Sequence, residues 1–84
     1  MKKKSERIYE ELRRRVARNV CRHRVAQRLT LMQLGEAAGL HWRHLQKIEA
    51  GKANVTLSTI ARLAKGLGVD PHELMTTTPR GRTP

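Results

Sequence analysis

The 84-residue chain has a single cysteine, no phenylalanine, one tryptophan and one tyrosine, and only seven acidic residues against 18 lysines and arginines. Each scarcity removes something. Cys21 alone cannot form an internal disulfide, and without a second thiol there is no cysteine cluster for a metal, so nothing here asks for an oxidising compartment. No stretch approaches the roughly 20 apolar residues of a membrane-spanning helix, and no signal-peptide core follows the N-terminal lysines. No nucleophile is set beside a base and an orienting group, and an enzyme is not expected. Strand patterns, internal repeats and a domain linker are also missing. What the chain has in excess is positive charge: a formal +11, with 30% of residues charged, points to a polyanionic partner rather than a membrane. A chain this short makes one domain with a thin core, burying roughly 60% of its unfolded surface. Its expected location is the cytoplasm.

The hydrophobic periodicity is helical throughout. Met1 to Lys4 form a basic stub. Ser5 is placed to cap a first helix with Glu6 in its first turn, and Ile8, Leu12, Val16 and Val20 recur every fourth residue as one core stripe, running to about Arg28. His23 falls on the boundary of that stripe. The arginines of its other side, Arg13, Arg14, Arg15, Arg18 and Arg22, are read first as a solvated face, with phosphate contact as the alternative.

Thr30 to Gly51 reads as two short helices about a tight turn. Thr30 caps the first, Leu34, Ala37 and Ala38 give its buried face, and Gly39 supplies a positive-φ exit. His41 begins the second. Its Leu45 and Ile48 share one side while Trp42, Arg43, Gln46 and Lys47 span the opposite arc, and Gly51 ends it. Thr56 is expected to cap a fourth helix with Leu57, Ile60, Ala61, Leu63, Ala64 and Leu67 on its apolar face, stopping at Gly66 or Gly68. Asp70-Pro71 starts a short fifth helix carrying Leu74 and Met75. From Thr76 onward the periodicity is lost, and 76–84 is expected to be a disordered basic tail.

The residues L-T-x-x-x-L-G-x-A-A-G-L at 29–40, x-L-x-x-I-E-x-G-K at 44–52 and N-x-T-L-x-T-I-A-R-L-A-K-x-L-G-V at 54–69 resemble the lambda repressor and Cro-like, or XRE-type, helix-turn-helix proteins. Within that family, AGLH at 38–41 and the short length look most like the controller proteins of restriction-modification systems. The resemblance implies an all-α, compact five-helix DNA-binding domain at 16–75. The first helix is longer than the family's usual one, so 1–15 is read as a basic, partly helical N-terminal extension, either continuous with that helix or a separate arm. It implies a transcriptional regulator that binds an inverted-repeat operator on double-stranded DNA as a homodimer, associated with the nucleoid. A phage-type repressor is the near alternative. An antitoxin that binds a toxin protein is the alternative from another class, and RNA polymerase is a further partner the family allows.

Site residues carry over position by position. Trp42, Arg43, Gln46 and Lys47 match base-reading positions: Arg43 suits guanine, Gln46 adenine, and Lys47 guanine or a phosphate. Two placements are open to Trp42, against a thymine methyl or sugar edge, or folded back on the preceding helix. Thr30 at a helix N-terminus, and Lys52, Asn54 and Thr56 in the loop that the family lays along the backbone, are expected on phosphates. Leu31 stands where relatives often carry a phosphate-holding Gln, so either Arg28 substitutes or that contact is missing. His44 is expected near DNA as well, since His41 and His44 without a third ligand make a poor metal site; no metal or cofactor is expected. Arg24 matches the family's partner for Glu49, an anion near the wrong end of its helix dipole, and the two are expected to form a structural ion pair. Leu67, Val69, Leu74 and Met75 match the pairing surface, unless they only close the monomer core.

Overall fold

The computed structural model describes residues 3–77. It contains five helices in chain order: α1 (Lys4–Ala26), α2 (Leu31–Ala38), α3 (Trp42–Glu49), α4 (Leu57–Leu67) and α5 (Pro71–Met75). The extension at 1–15, where described, is not a separate arm: α1 runs through Arg15 and Val16 as one continuous helix. Met1, Lys2 and the tail beyond Thr77 lie outside the described residues.

Both ends of α1 differ from the sequence expectation. Its N-cap is Lys3, not Ser5, because the Glu6 carboxylate reaches back to accept the Lys3 backbone N–H at 2.9 Å and so starts the helix earlier. Its C-terminus is Ala26, two residues short of Arg28. Arg28 itself sits in the left-handed region at φ 59°, and the Leu29 N–H closes the turn on the Arg24 carbonyl at 3.0 Å. A non-glycine residue is costly there.

The other helix ends follow local chemistry. Thr30 and Thr56 accept the Gln33 and Thr59 N–H groups, and Asp70 accepts that of His72 ahead of Pro71. Gly39, Gly51 and Gly68 take φ near +70° where helices end. Gly66 does not end α4. It serves a close approach instead: a Cβ there would lie 3.0 Å from the Ala38 Cβ of α2.

The core gathers Val16 and Val20 of α1, Leu34 and Ala38 of α2, Leu45 and Ile48 of α3, and Ile60, Leu63, Ala64 and Leu67 of α4, closed by Leu74 of α5. Burying a leucine fully contributes on the order of 1.5–3 kcal/mol. Five expected core positions are outside it, Leu12 among them, which is only half-buried. Ala37 and Ala61 are exposed, since these short helices bury only a narrow stripe. Ile8 and Leu57 are 49% and 79% exposed, because α1 projects beyond the body and nothing covers the start of α4. Leu67 and Leu74, matched to a pairing surface, are instead 4% and 0% exposed within the monomer.

One buried group was not anticipated. Asn19 is fully enclosed on α1, and its amide donates to the Leu74 carbonyl at 3.0 Å and the Thr76 carbonyl at 2.8 Å, while Arg22 donates to its oxygen at 3.2 Å. A five-residue helix cannot satisfy its own C-terminal carbonyls. Asn19 therefore pins α5 to α1, and Arg15 adds a longer bond to the Met75 carbonyl at 3.4 Å.

Candidate nucleic-acid interface

The turn between α2 and α3 is fixed by backbone. The Leu40 N–H donates to the Gly35 carbonyl at 2.8 Å, and a Cβ on Gly35 would stand 2.5 Å from the Leu40 oxygen. Glycine is required there for room, and at Gly39 for its φ. Arg62 of α4 donates to the Gly39 carbonyl at 3.2 Å and supports the turn from outside. That role had no sequence signal.

His41 is the N-cap of α3 rather than its first residue, and its ring Nδ1 accepts the Arg43 N–H at 3.1 Å. A histidine nitrogen used this way is no longer a free ligand. With Leu45 and Ile48 buried, Arg43, Gln46 and Lys47 stand exposed on the opposite side, and Arg43 lies closest to the outward direction on a 100° wheel. Trp42 and His44 fall on the two flanks and are half-buried. Trp42 folds toward α2, sharing a surface groove with Met32, Gln33 and Glu36. Its ring stacks on His41 at 5.9 Å between centroids and carries the Arg43 guanidinium at 5.3 Å. This shelf orients Arg43 by a cation–π contact.

The expected phosphate residues divide by what remains free. The Thr30 hydroxyl and N–H are both engaged with Gln33, at 3.0 and 2.9 Å, so this end of α2 has the Leu31 and Met32 N–H groups to offer an anion. The Thr56 hydroxyl is likewise held by Thr59, which leaves the first backbone donors of α4. Lys52 and Arg28 are exposed cations. Asn54 has a partner no sequence pattern indicated: the Tyr9 hydroxyl donates to its Oδ1 at 3.2 Å. With the oxygen occupied, the amide N–H₂ is the part left to face a phosphate.

Arg24 holds these parts in register. Its Nε and Nη2 donate to the two Glu49 oxygens at 2.7 and 3.0 Å, and its Nη1 donates to the Leu29 carbonyl at 2.7 Å. One side chain thus ties α1 to the end of α3 and to the residue before Thr30. The hydrogen bond to Glu49 raises the Arg24 pKa further above its ordinary value. Beside the pair, burial and then the Glu49 charge push the Cys21 thiol up, which keeps it protonated and a poor nucleophile. Among the described residues no helix is long and apolar enough to cross a membrane.

Comparison with known proteins identifies the family. The family described as the helix-turn-helix domain matches residues 10–75. The chain is 39% identical to control protein C.SmaI of Serratia marcescens over 61 residues, which is 73% of each protein. It is 34% identical over 68 residues to an uncharacterised HTH-type transcriptional regulator, y4dJ, of Sinorhizobium fredii, covering 81% of this chain and 88% of that one. Among solved structures, the restriction-modification controller protein C.AhdI of Aeromonas hydrophila superposes with a TM-score of 0.71 at 29% identity, over 74% of this chain and 94% of its own. The hypothetical transcription factor NHTF from Neisseria superposes at 0.76 and 29% identity, over 81% and 79%. A matched helix-turn-helix domain over most of the chain, with relatives that are control proteins and transcriptional regulators, places the chain in that family of DNA-binding transcriptional regulators.

Proposed function

We propose that this regulator binds an inverted-repeat operator as a homodimer, with α3 in the major groove, and that its operator controls a restriction-modification system. The observation that carries the reading is the outward arc of α3, where Arg43, Gln46 and Lys47 stand exposed opposite the buried Leu45 and Ile48. A helix fits the major groove, and the N-terminal ends of α2 and α4 have backbone donors for phosphates. Arg43 donates its fork to a guanine, Gln46 pairs with adenine, and Lys47 takes guanine or phosphate. Trp42, folded toward α2, acts as the shelf for Arg43 and reaches a thymine methyl only at its edge. Arg28, Lys52 and Asn54 bind phosphate through side chains, Thr30 and Thr56 by setting the helix ends. His44, half-buried on the flank, comes last among them. The likeness to a restriction-modification controller favours that system over a phage repressor or an antitoxin.

A two-fold dimer places its two reading helices about 34 Å apart, one turn of DNA. Of the four expected pairing residues, Val69 and Met75 keep surface for such a contact.

Replacing Arg43 by alanine is expected to weaken the selected site by about 1–3 kcal/mol and to flatten base preference, while Lys52→Ala weakens every duplex alike. Titrations of both variants on selected and scrambled duplexes measure this. Equal losses on both duplexes for Arg43→Ala would take it out of base reading.

A further inference from the structure

We propose that two copies of this chain pair through a face built from the N-terminal half of α1 and the start of α4, each inserting its Leu57 into a groove on the other. The inference rests on the dimer reading above and names its surface.

Five large hydrophobic side chains are exposed among the described residues; two of them, Tyr9 and Leu57, line one groove, and a third, Ile8, lies one helical turn before that groove's Leu12 on α1. The groove is lined by Tyr9, Leu12, Arg13 and Val16 of α1, by Val55, Leu57 and Ile60 at and before the start of α4, and by Met75. Its volume of about 120 Å³ is somewhat below that of an apolar cavity, ~150 Å³, that accepts a benzene ring. One aliphatic side chain fills such a space. Leu57, one of the lining residues, is 79% exposed, so most of its side chain is open to a partner. Knob and hole on the same surface make a contact that a two-fold axis satisfies twice and then closes, so the assembly stops at two.

Area and charge both select a second copy. The exposed parts of Ile8, Tyr9 and Leu57, with the half-buried Leu12, Val55 and Met75, amount to an apolar patch on the order of 300–400 Å², the size at which a monomer's largest patch is often functional. A standard interface takes about 800 Å² per partner, a little over half of it apolar, so this patch supplies most of the apolar share and needs a polar rim. The rim is present. Glu6, Tyr9, Glu10 and Arg13 line a hollow along this flank of α1, with the acids toward its N-terminal end and Arg13 at the other. Antiparallel pairing across a two-fold brings Glu6 of one copy to Arg13 of its partner. Arg13 is prepared for that: its guanidinium lies 5.1 Å over the Tyr9 ring, and its Nε is buried with no hydrogen-bond partner. In a chain of net charge +11, self-association needs a face that carries carboxylates. Because Tyr9 also holds Asn54, the pairing face is coupled directly to the loop beside the DNA backbone.

Sedimentation equilibrium of the full chain at micromolar concentration tests this, with circular dichroism to check helix content. The parent is expected to be dimeric. Leu57→Glu is expected to raise the dimer Kd by at least about thirtyfold, as a central anchor should. Arg13→Glu is expected to raise it about tenfold, and adding Glu6→Arg in the same chain to restore most of the loss, a rescue that damage to the fold would not give. A dimeric parent with Leu57→Glu and Arg13→Glu equally dimeric would overturn this face while leaving the dimer itself standing, and Val69→Glu would then locate the alternative. A parent that stays monomeric with and without operator DNA would remove both. A dimer whose Arg13 defect Glu6→Arg fails to relieve would overturn the antiparallel arrangement.

Discussion

Arg24 faces three acceptors at once, and that decides what losing its carboxylate partner does. Its side chain is 18% exposed and that of Glu49 11%, so the pair is largely screened from water. Glu49→Ala leaves the guanidinium with the Leu29 carbonyl and little else. Breaking a buried pair from one side costs about 3–5 kcal/mol, and the residual exposure puts this case near the lower end, about 3 kcal/mol. For a domain of this size that lowers Tm by roughly 12–24 °C. Thermal melting followed by circular dichroism measures it, and a variant melting with the parent while failing on DNA would make Glu49 a functional residue instead. The pair was legible because an anion at a helix C-terminus needs a cation and the family supplies one at the position of Arg24. Asn19 was not legible. Its burial depends on where the carbonyls at the end of α5 arrive, some 55 residues away along the chain, and no local pattern encodes that.

Among the elements, the α2–α3 turn is the least tolerant. Gly35 lies inside α2, where exchanging glycine for alanine ordinarily gains about 1 kcal/mol of helix propensity. Here the new Cβ would meet the Leu40 backbone oxygen at 2.5 Å, and backbone cannot swing aside like a side-chain tip. The overpacking cost, at the upper end near 3 kcal/mol, exceeds the propensity gain, so Gly35→Ala is expected to destabilise the fold by about 2 kcal/mol. Urea unfolding gives the number, and a variant more stable than the parent would mean the turn has slack that its geometry does not show. The helices themselves were well marked in the sequence, since caps and φ-permissive glycines are local chemistry. Their exposed faces were harder. Ile8 and Leu57 repeat the spacing of core residues, and periodicity alone cannot tell a face that packs inside the monomer from one left open. Gly66 misled for the same reason: a glycine near a helix end reads as a stop until the neighbouring helix is known to press on it.

The whole molecule is a strongly charged body whose cations are unevenly useful. Counterion release makes the salt dependence of binding a count of neutralised phosphates, with a slope of about −0.9 per contact in a plot of log K against log salt. In the proposed complex the phosphate-side cations of one protomer are the exposed Arg28 and Lys52, with Lys47 available to either base or backbone. The proposed dimer on its operator would then make about 4–6 cationic contacts, for an expected slope of roughly −4 to −5. The α1 flank is the competing source. Its Arg14 and Arg15 lie 3.8 and 3.5 Å from Glu10 and Glu11, which lowers what they can offer a phosphate. If that flank is a solvated face, Arg18→Ala leaves the slope unchanged while Lys52→Ala makes it shallower by about two units in the dimer, one per protomer. A parent slope steeper than about −8, reduced by Arg18→Ala, would instead lay α1 against the DNA and enlarge the footprint beyond the helix-turn-helix. Titrations across a range of salt concentrations on a single operator duplex distinguish the two, because the slope reports how many charges meet the backbone whatever the sequence being read.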